Sequence, residues 1–279
     1  MKKIRSILLY TRADMEKAMV CKKKIEKWIK TTHQDISIKT TGKADIVIAI
    51  GGDGTILEAI RMYAKYRPLF LGLNMGHVGF LASVRQEKNF TSALKRIFSG
   101  DFFESKRMLA HVSLVRKNKT IYENNFFNDV TVQNLTGVSD LDVSIEDTTI
   151  QHIRGTGVLI ATASGSTAWN LSLNGPLVMP DIHCFIVTEI LDHNTATPSV
   201  IVKDSTTVSI QINDFRKRSE ILLKDGTPVD MVLFVDGTIV EKIEKNDRIV
   251  IQRTPNPVSI IELEKNYFFK SLHQKFNFR

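Results

Sequence analysis

Residues Gly51-Gly52-Asp53-Gly54-Thr55 set one carboxylate among three glycines, directly after the apolar run Ile46-Val47-Ile48-Ala49-Ile50. Glycines in a turn between a strand and a helix let backbone N–H groups come close to phosphate oxygens, and the helix N-terminus favours an anion. Phosphate repels a carboxylate, so Asp53 itself is not a phosphate ligand. Its chemistry is to hold a metal or to accept the proton of an attacking hydroxyl. Gly51, Gly52, Gly54 and Thr55 are then candidate phosphate contacts around a candidate catalytic Asp53. A plain strand–helix turn uses the same residue types, and it is the buried strand before the turn and the helical pattern after it that favour a phosphate site.

Two more segments carry polar groups at strand ends. Asn74-Met75-Gly76-His77-Val78-Gly79-Phe80 is a second Gly-rich loop after an apolar strand, with Asn74 and Phe80 as candidate contacts. Residues 162–172 pack hydroxyls, small residues and one aromatic between a strand and a short helix, whose N–H groups and hydroxyls can read a purine edge and orient ribose or phosphate oxygens. Taken alone, N-capping is the simpler reading of that segment. The pair Asn128-Asp129 offers an amide for an adenine edge and a carboxylate for a ribose diol, although a lone Asn-Asp is an ordinary turn pair.

These loops need elements to position them. The first hundred residues alternate: strands at 4–10, 36–39, 45–50 and 69–73, helices at 13–30, 55–66 and from about 87 to Gly100. That order implies a parallel sheet with ligands at the carboxyl ends of its strands, where both Gly-rich loops lie. After Gly100 short strands dominate, at 111–116, 126–133, 141–145, 158–162, 207–212, 239–243, 248–252 and 258–263, broken by turns such as Asp225-Gly226 and Asp236-Gly237 and by one helical stretch at 166–173. The expected fold is an α/β N-terminal domain with a parallel sheet (1–100), then a mostly antiparallel β-rich domain (101–263). Helical spacing at 268–278 makes the end of the chain (264–279) a helix that packs back on the first domain.

Composition narrows the class. With 279 residues, 43% of them hydrophobic, the chain can bury a sizeable core. It has no apolar run long enough to span a membrane, and its first apolar stretch stops at Tyr10, too short for a signal peptide. Cys21 and Cys184 have no metal-ligand spacing, which suits reduced thiols in a cytoplasmic protein. The net charge of +8 suits an anionic partner. Without an aromatic–basic stripe or zinc-finger spacing, a nucleotide explains that charge and nucleic acid is not expected. The run Lys22-Lys23-Lys24 reads as the solvated face of a helix whose apolar stripe is Met15, Ala18, Met19, Ile25, Trp28 and Ile29. No P-loop motif, complete dinucleotide fingerprint or protein-kinase signature is present.

In order and spacing, the segments resemble the NAD kinase family. That family carries GGDGT after a buried strand, then N-x-G-x-x-G-F-L, an Asn-Glu pair, and a stretch close to G-D-G-L-I-V-S-T-P-T-G-S-T-A-Y. Here these are Gly51 to Thr55, Asn74 to Leu81, Asn128-Asp129, and Gly155 to Trp169; Val235-Asp236-Gly237 is also similar. The resemblance implies ATP-dependent phosphorylation of the 2′-hydroxyl on the adenosine ribose of NAD, giving NADP. Asp53 would be the general base, and the Gly51–Thr55 loop would contact diphosphate with Mg²⁺ or another divalent cation. Asn128, Ser164, Thr167 and Ala168 would contact adenine, Asp129 the ribose hydroxyls, and Arg154, Thr156 and Ser172 the rest of the dinucleotide. Asn74, Phe80, Trp169, Asn170 and Asp236 would belong to the same nucleotide site. It further implies a homodimer or homotetramer built through the β domain, with Ser172 and Leu191 approaching a neighbour's ligand. Asp129 replaces the family's Glu, Thr156 removes the carboxylate of its G-D-G, and Trp169 replaces Tyr. The GGDGT loop also occurs in lipid and sphingoid-base kinases, and the departures at Asp129 and Thr156 suit an inactive dinucleotide-binding regulator, so both stand as alternatives.

Overall fold

The computed structural model describes residues 4–76, 79–192, 197–223 and 225–276. His77 and Val78 of the second Gly-rich loop, and the expected helical turn through Phe278, lie outside the described residues. Two compact units divide the chain: Met1–Arg107 with Pro257–Arg279, and Met108–Asn256. The helices are α1 (Glu16–Thr32), α2 (Asp53–Tyr63), α3 (Phe90–Phe98), α4 (Trp169–Ser172) and α5 (Tyr267–Phe276).

The first unit is built on a parallel sheet. Its order is Ser37–Lys39, Ser6–Tyr10, Ile46–Ile50, Leu69–Asn74, Val258–Glu262, Phe103–Arg107, with Val84–Arg85 pairing beside the end of Leu69–Asn74. All five residues of Ile46–Ile50 are buried, which is why that strand is apolar throughout rather than alternating. Helix α1 buries Ala18, Cys21, Ile25 and Ile29, one stripe at helical spacing. Met19, expected in that stripe, faces outward instead, and Cys21 takes its place. Lys22 to Lys24 run along the other side, where Lys24 meets Glu87 at 2.8 Å. Gly72 lets α2 lie close on the sheet, since a Cβ there would stand 2.4 Å from Ile56 Cδ1.

Val258–Glu262 corrects the sequence reading. Expected in the β-rich segment, it pairs parallel with Leu69–Asn74 and antiparallel with Phe103–Arg107. Local alternation cannot tell which distant sheet a short apolar strand will join. A buried ion pair between Arg107 and Glu262, at 2.5 Å, ties its far end.

The second unit is an antiparallel sheet around the long strand Thr148–Thr162. The first half of that strand pairs with Ser139–Ile145, and its second half lies between Asp129–Asn134 and Cys184–Asp192. Val158 and Ile160 enter the main core with Val130, Val132, Phe185 and Leu233. Leu159 and Ala161 face the other way, into a smaller cluster with Ala163, Val178, Ile186 and the half-buried Trp169 and Leu173. The segment containing α4 therefore covers that face, a layer the sequence reading did not anticipate.

Candidate functional site

In the first unit, Ile46–Ile50 delivers Gly51, whose φ is 154° and whose N–H donates to the Leu73 carbonyl at 2.9 Å. A Cβ on Gly51 would stand 2.4 Å from Thr55 Oγ1, so only glycine allows the turn. Gly52 and Gly54 differ: an added Cβ at either meets nothing within 4 Å. The protein has no steric need for glycine at those two positions, which suits close approach by something outside the chain. Helix α2 starts at Asp53, two residues earlier than the sequence pattern suggested. Among the described residues, nothing accepts from the N–H groups of Gly52, Asp53 or Gly54. Such orphan first-turn donors, at the positive end of the helix dipole, form an anion site. Thr55 is buried and turns its hydroxyl toward Met15 Sδ at 3.5 Å, so its side chain faces the protein.

Asp53 is fixed from the opposite side. Phe80 N–H donates to Oδ2 at 2.7 Å and Leu81 N–H to Oδ1 at 3.2 Å. Gly79 makes room for the carboxylate, because a Cβ there would stand 2.2 Å from Oδ1. The structure thus brings the two Gly-rich loops together on one carboxylate. Asn74 is buried and accepts from Gly76 N–H at 3.1 Å, shaping the second loop. The Phe80 ring packs on Phe268, centroids 5.9 Å apart, and lies beneath Lys275 Nζ at 4.7 Å. A cavity of about 490 Å³ beside the glycines is lined by Gly51, Gly52, Asn74, Gly76, Glu16 and Lys17. Lys17 is a cation that sequence reading missed, because it sits on α1, remote in the chain from either loop.

The second unit holds its own cluster. Asp236 and Gly237 both have positive φ, 47° and 74°, as a tight hairpin turn between Met231–Val235 and Thr238–Lys242 requires. The Asp236 carboxylate accepts the successive N–H groups of Phe127 (3.0 Å), Asn128 (2.7 Å) and Asp129 (3.2 Å). Asp236 therefore orients the Asn128-Asp129 pair. Asn128 is half-buried, and its carbonyl accepts from Thr162 N–H at 2.9 Å. Gly165 presses on that carbonyl so closely that a Cβ would stand 2.0 Å from it. Asp129 is buried, its carboxylate has no hydrogen-bond partner among the described residues, and burial, with Asp236 adding like charge, pushes its pKa up to about 7.

The buried Ser164 hydroxyl is also without a partner among the described residues. The Thr167 hydroxyl donates to the Ser164 carbonyl at 3.2 Å within a short turn of 3₁₀ helix (Ser164–Thr167), and Ala168 follows half-buried. Trp169 stands edge-on to Phe234 at 5.7 Å. Asn170 is fully buried with its amide engaged by Thr188 Oγ1 and the Pro176 carbonyl, a packing role. Ser172 is exposed at the end of α4. Arg154 is exposed and Thr156 half-buried on Thr148–Thr162, and Leu191, 74% exposed, lies alongside, its carbonyl against Gly155. A cavity of about 700 Å³ is lined by Ser139, Asp140, Arg154, Phe215 and Arg216.

The sequence model of the ATP-NAD kinase N-terminal domain matches residues 2–102, and that of the ATP-NAD kinase C-terminal domain matches residues 128–263. The NAD kinase of Lachnoclostridium phytofermentans is 30% identical over 236 residues, spanning 83% of this chain and 80% of that protein. That of Chloroherpeton thalassium is 32% identical over 241 residues, spanning 84% and 78%. The chain belongs to the NAD kinase family. The NAD kinase fold is also seen in the crystal structure of yeast NADH kinase complexed with NADH, with a TM-score of 0.88 at 17% identity over 100% of this chain and 89% of that one. An NAD kinase from Archaeoglobus fulgidus in complex with ATP has a TM-score of 0.72 at 20% identity over 98% of both chains. Among the described residues, no three or more His, Cys, Asp or Glu side chains form a group able to hold a metal.

Proposed function

We propose that this chain transfers the γ-phosphoryl group of ATP to the 2′-hydroxyl of the adenosine ribose of NAD, with Asp53 as the general base. The observation that carries this reading is the Asp53 carboxylate, held by the Phe80 and Leu81 amides beside the glycines that open α2. Asp53 takes the hydroxyl proton as the oxygen–phosphorus bond forms, and the bond from phosphorus to the departing ADP oxygen breaks. The open amides of Gly52, Asp53 and Gly54 hold nucleotide phosphate oxygens, and Lys17 adds positive charge at that loop. In the second unit, Asn128 and the unpartnered Ser164 hydroxyl read adenine, with Thr167 and Ala168 beside them, and Asp129 accepts ribose hydroxyls. Arg154, Thr156, Ser172 and Leu191 lie along the rest of the dinucleotide.

One carboxylate with both oxygens already bonded to amides is a poor resident metal cage. Mg²⁺ fits better as part of the substrate, bound to the phosphates of ATP and supplying charge neutralisation there. Turnover then follows the concentration of the Mg²⁺–ATP complex. We further propose a cytoplasmic homodimer or homotetramer. Among the described residues no helix is long and apolar enough to cross a membrane, and the exposed Leu191 and Ile201 offer apolar contact for a second copy.

The test is purified protein with ATP, Mg²⁺ and NAD or NADH, reading NADP or NADPH with a coupled dehydrogenase. Asp53→Asn is expected to lower kcat by about 10²–10⁴-fold while NAD still binds by calorimetry. Near wild-type kcat in that variant would remove Asp53 from the chemistry.

A further inference from the structure

The peptide joining Gly79 to Phe80 is bonded on both sides. Its N–H donates to Asp53 Oδ2 at 2.7 Å, and its carbonyl accepts from Arg85 Nη2 at 3.2 Å, with the Tyr267 hydroxyl also 3.2 Å away. That hydroxyl donates to the Ala82 carbonyl as well, so one tyrosine brackets the two amides, of Phe80 and Leu81, that hold the carboxylate. A peptide unit is planar, so fixing its carbonyl fixes the direction of its N–H. A guanidinium on the carbonyl also polarises the peptide and strengthens that N–H as a donor.

The grip comes almost wholly from the end of the chain. Arg85 is itself held by Tyr267 Oη at 2.9 Å, Ser271 Oγ at 2.8 Å and the Gln274 side-chain carbonyl, all on α5. Phe268 packs on the Phe80 ring. Ser83 donates to the Ile261 carbonyl at 2.8 Å, so the loop is tied to the last strand of the sheet too. Among the described residues, neither Tyr267 nor Arg85 hydrogen-bonds to Asp53 directly; the backbone stands between.

We propose that Tyr267 and Arg85 are positioning residues for Asp53, acting through the peptide between Gly79 and Phe80, so that α5 sets the geometry of the base. This rests on the reading of Asp53 as the general base. A helix that merely covered the sheet would need neither the hydroxyl on the Ala82 carbonyl nor a cation on the Gly79 carbonyl.

The experiment is a double-mutant cycle on the full chain, with steady-state kinetics in NAD and ATP. Tyr267→Phe is expected to lower kcat roughly 10- to 100-fold, the scale of a small misplacement of a reacting group, while KM for NAD stays within about twofold. In an Asp53→Asn background the same change is expected to leave the residual rate unaltered. Arg85→Lys, which keeps a cation but loses the fork, is expected to give a smaller kcat loss in the same direction and reports independently of any folding defect in Tyr267→Phe. Wild-type kcat in both variants would overturn the proposal. So would an equal loss from Tyr267→Phe with and without Asp53, which leaves the general-base reading standing. Full activity of Asp53→Asn alone would sink that reading, and this inference with it.

Discussion

Asp236 lies beside Asp129 and disfavours its ionisation, while its own carboxylate binds the Asp129 N–H at 3.2 Å. The two carboxylates have opposite surroundings. Asp236 meets three backbone donors in a row, whereas the buried Asp129 carboxylate accepts no hydrogen bond among the described residues. One carboxylate thus builds the turn, and the other is left without a hydrogen bond among the described residues.

Asp129 makes stability depend on pH. Its pKa is raised from 3.8 to about 7, so the folded chain binds a proton that the unfolded chain has lost across that interval. Stability from this group is present below pH 4 and is lost as pH rises through 7. Asp129→Asn is expected to remove that slope and to stabilise the protein above pH 7 by on the order of 1–4 kcal/mol. Denaturant midpoints at pH 5 and pH 8 for both proteins check this, and an unchanged pH dependence would refute it.

Asp236→Ala removes the acceptor of three amides and is expected to destabilise the fold by roughly 1.5–3 kcal/mol, partly offset by easier ionisation of Asp129. NAD affinity, measured by calorimetry, is expected to fall at least tenfold because the Asn128-Asp129 pair loses its anchor. Unaltered affinity in a folded variant would assign that pair no role in binding.

The parallel sheet, and Asp53 as a candidate, are legible because Ile46–Ile50 is apolar on both faces and ends in glycines, a local pattern. Other elements are not. Lys119–Phe126 is an exposed edge strand with no buried face to impose alternation, and Met231–Val235 is apolar throughout. The polar first half of Thr148–Thr162 also hid a strand. In the candidate site, Asp236 looked like one more nucleotide contact, and only the fold shows that it holds backbone. Asn170 likewise spends its amide inside the protein. Lys17, Arg85 and Tyr267 went unnoticed because their partners lie far away in sequence.

Thr156 is half-buried between Gly155 and Gly157, whose backbones are too crowded for any Cβ: one added at Gly157 would stand 2.0 Å from the Val132 carbonyl. The strand run from Thr156 to Thr162 is roughly 20 Å, a length suited to an extended dinucleotide. Thr156→Asp is expected to lower KM for NAD with little change in kcat, the mark of uniform binding. An unchanged KM would place this side chain away from the substrate.

Oligomerisation has a direct check in light scattering at micromolar concentration, where a dimer or tetramer is expected. Ile201, 52% exposed, stands on the edge strand Val200–Lys203 next to Cys184–Asp192. Ile201→Lys is expected to shift the assembly toward monomer. A fully active monomer of 31.6 kDa would exclude a shared site.

The first unit takes its last strand and α5 from the far end of the chain, and synthesis runs in one direction. Residues 108–256 must leave the ribosome between Arg107 and Val258, an interval of roughly 10–30 s at typical elongation rates. Until then Leu69–Asn74 has an open, apolar edge, and the loop holding Asp53 lacks Tyr267. A prematurely terminated nascent chain would therefore carry the glycine turn and the carboxylate without the clamp, an unfinished kinase that exposes sticky surface to chaperones and proteases before it can consume ATP.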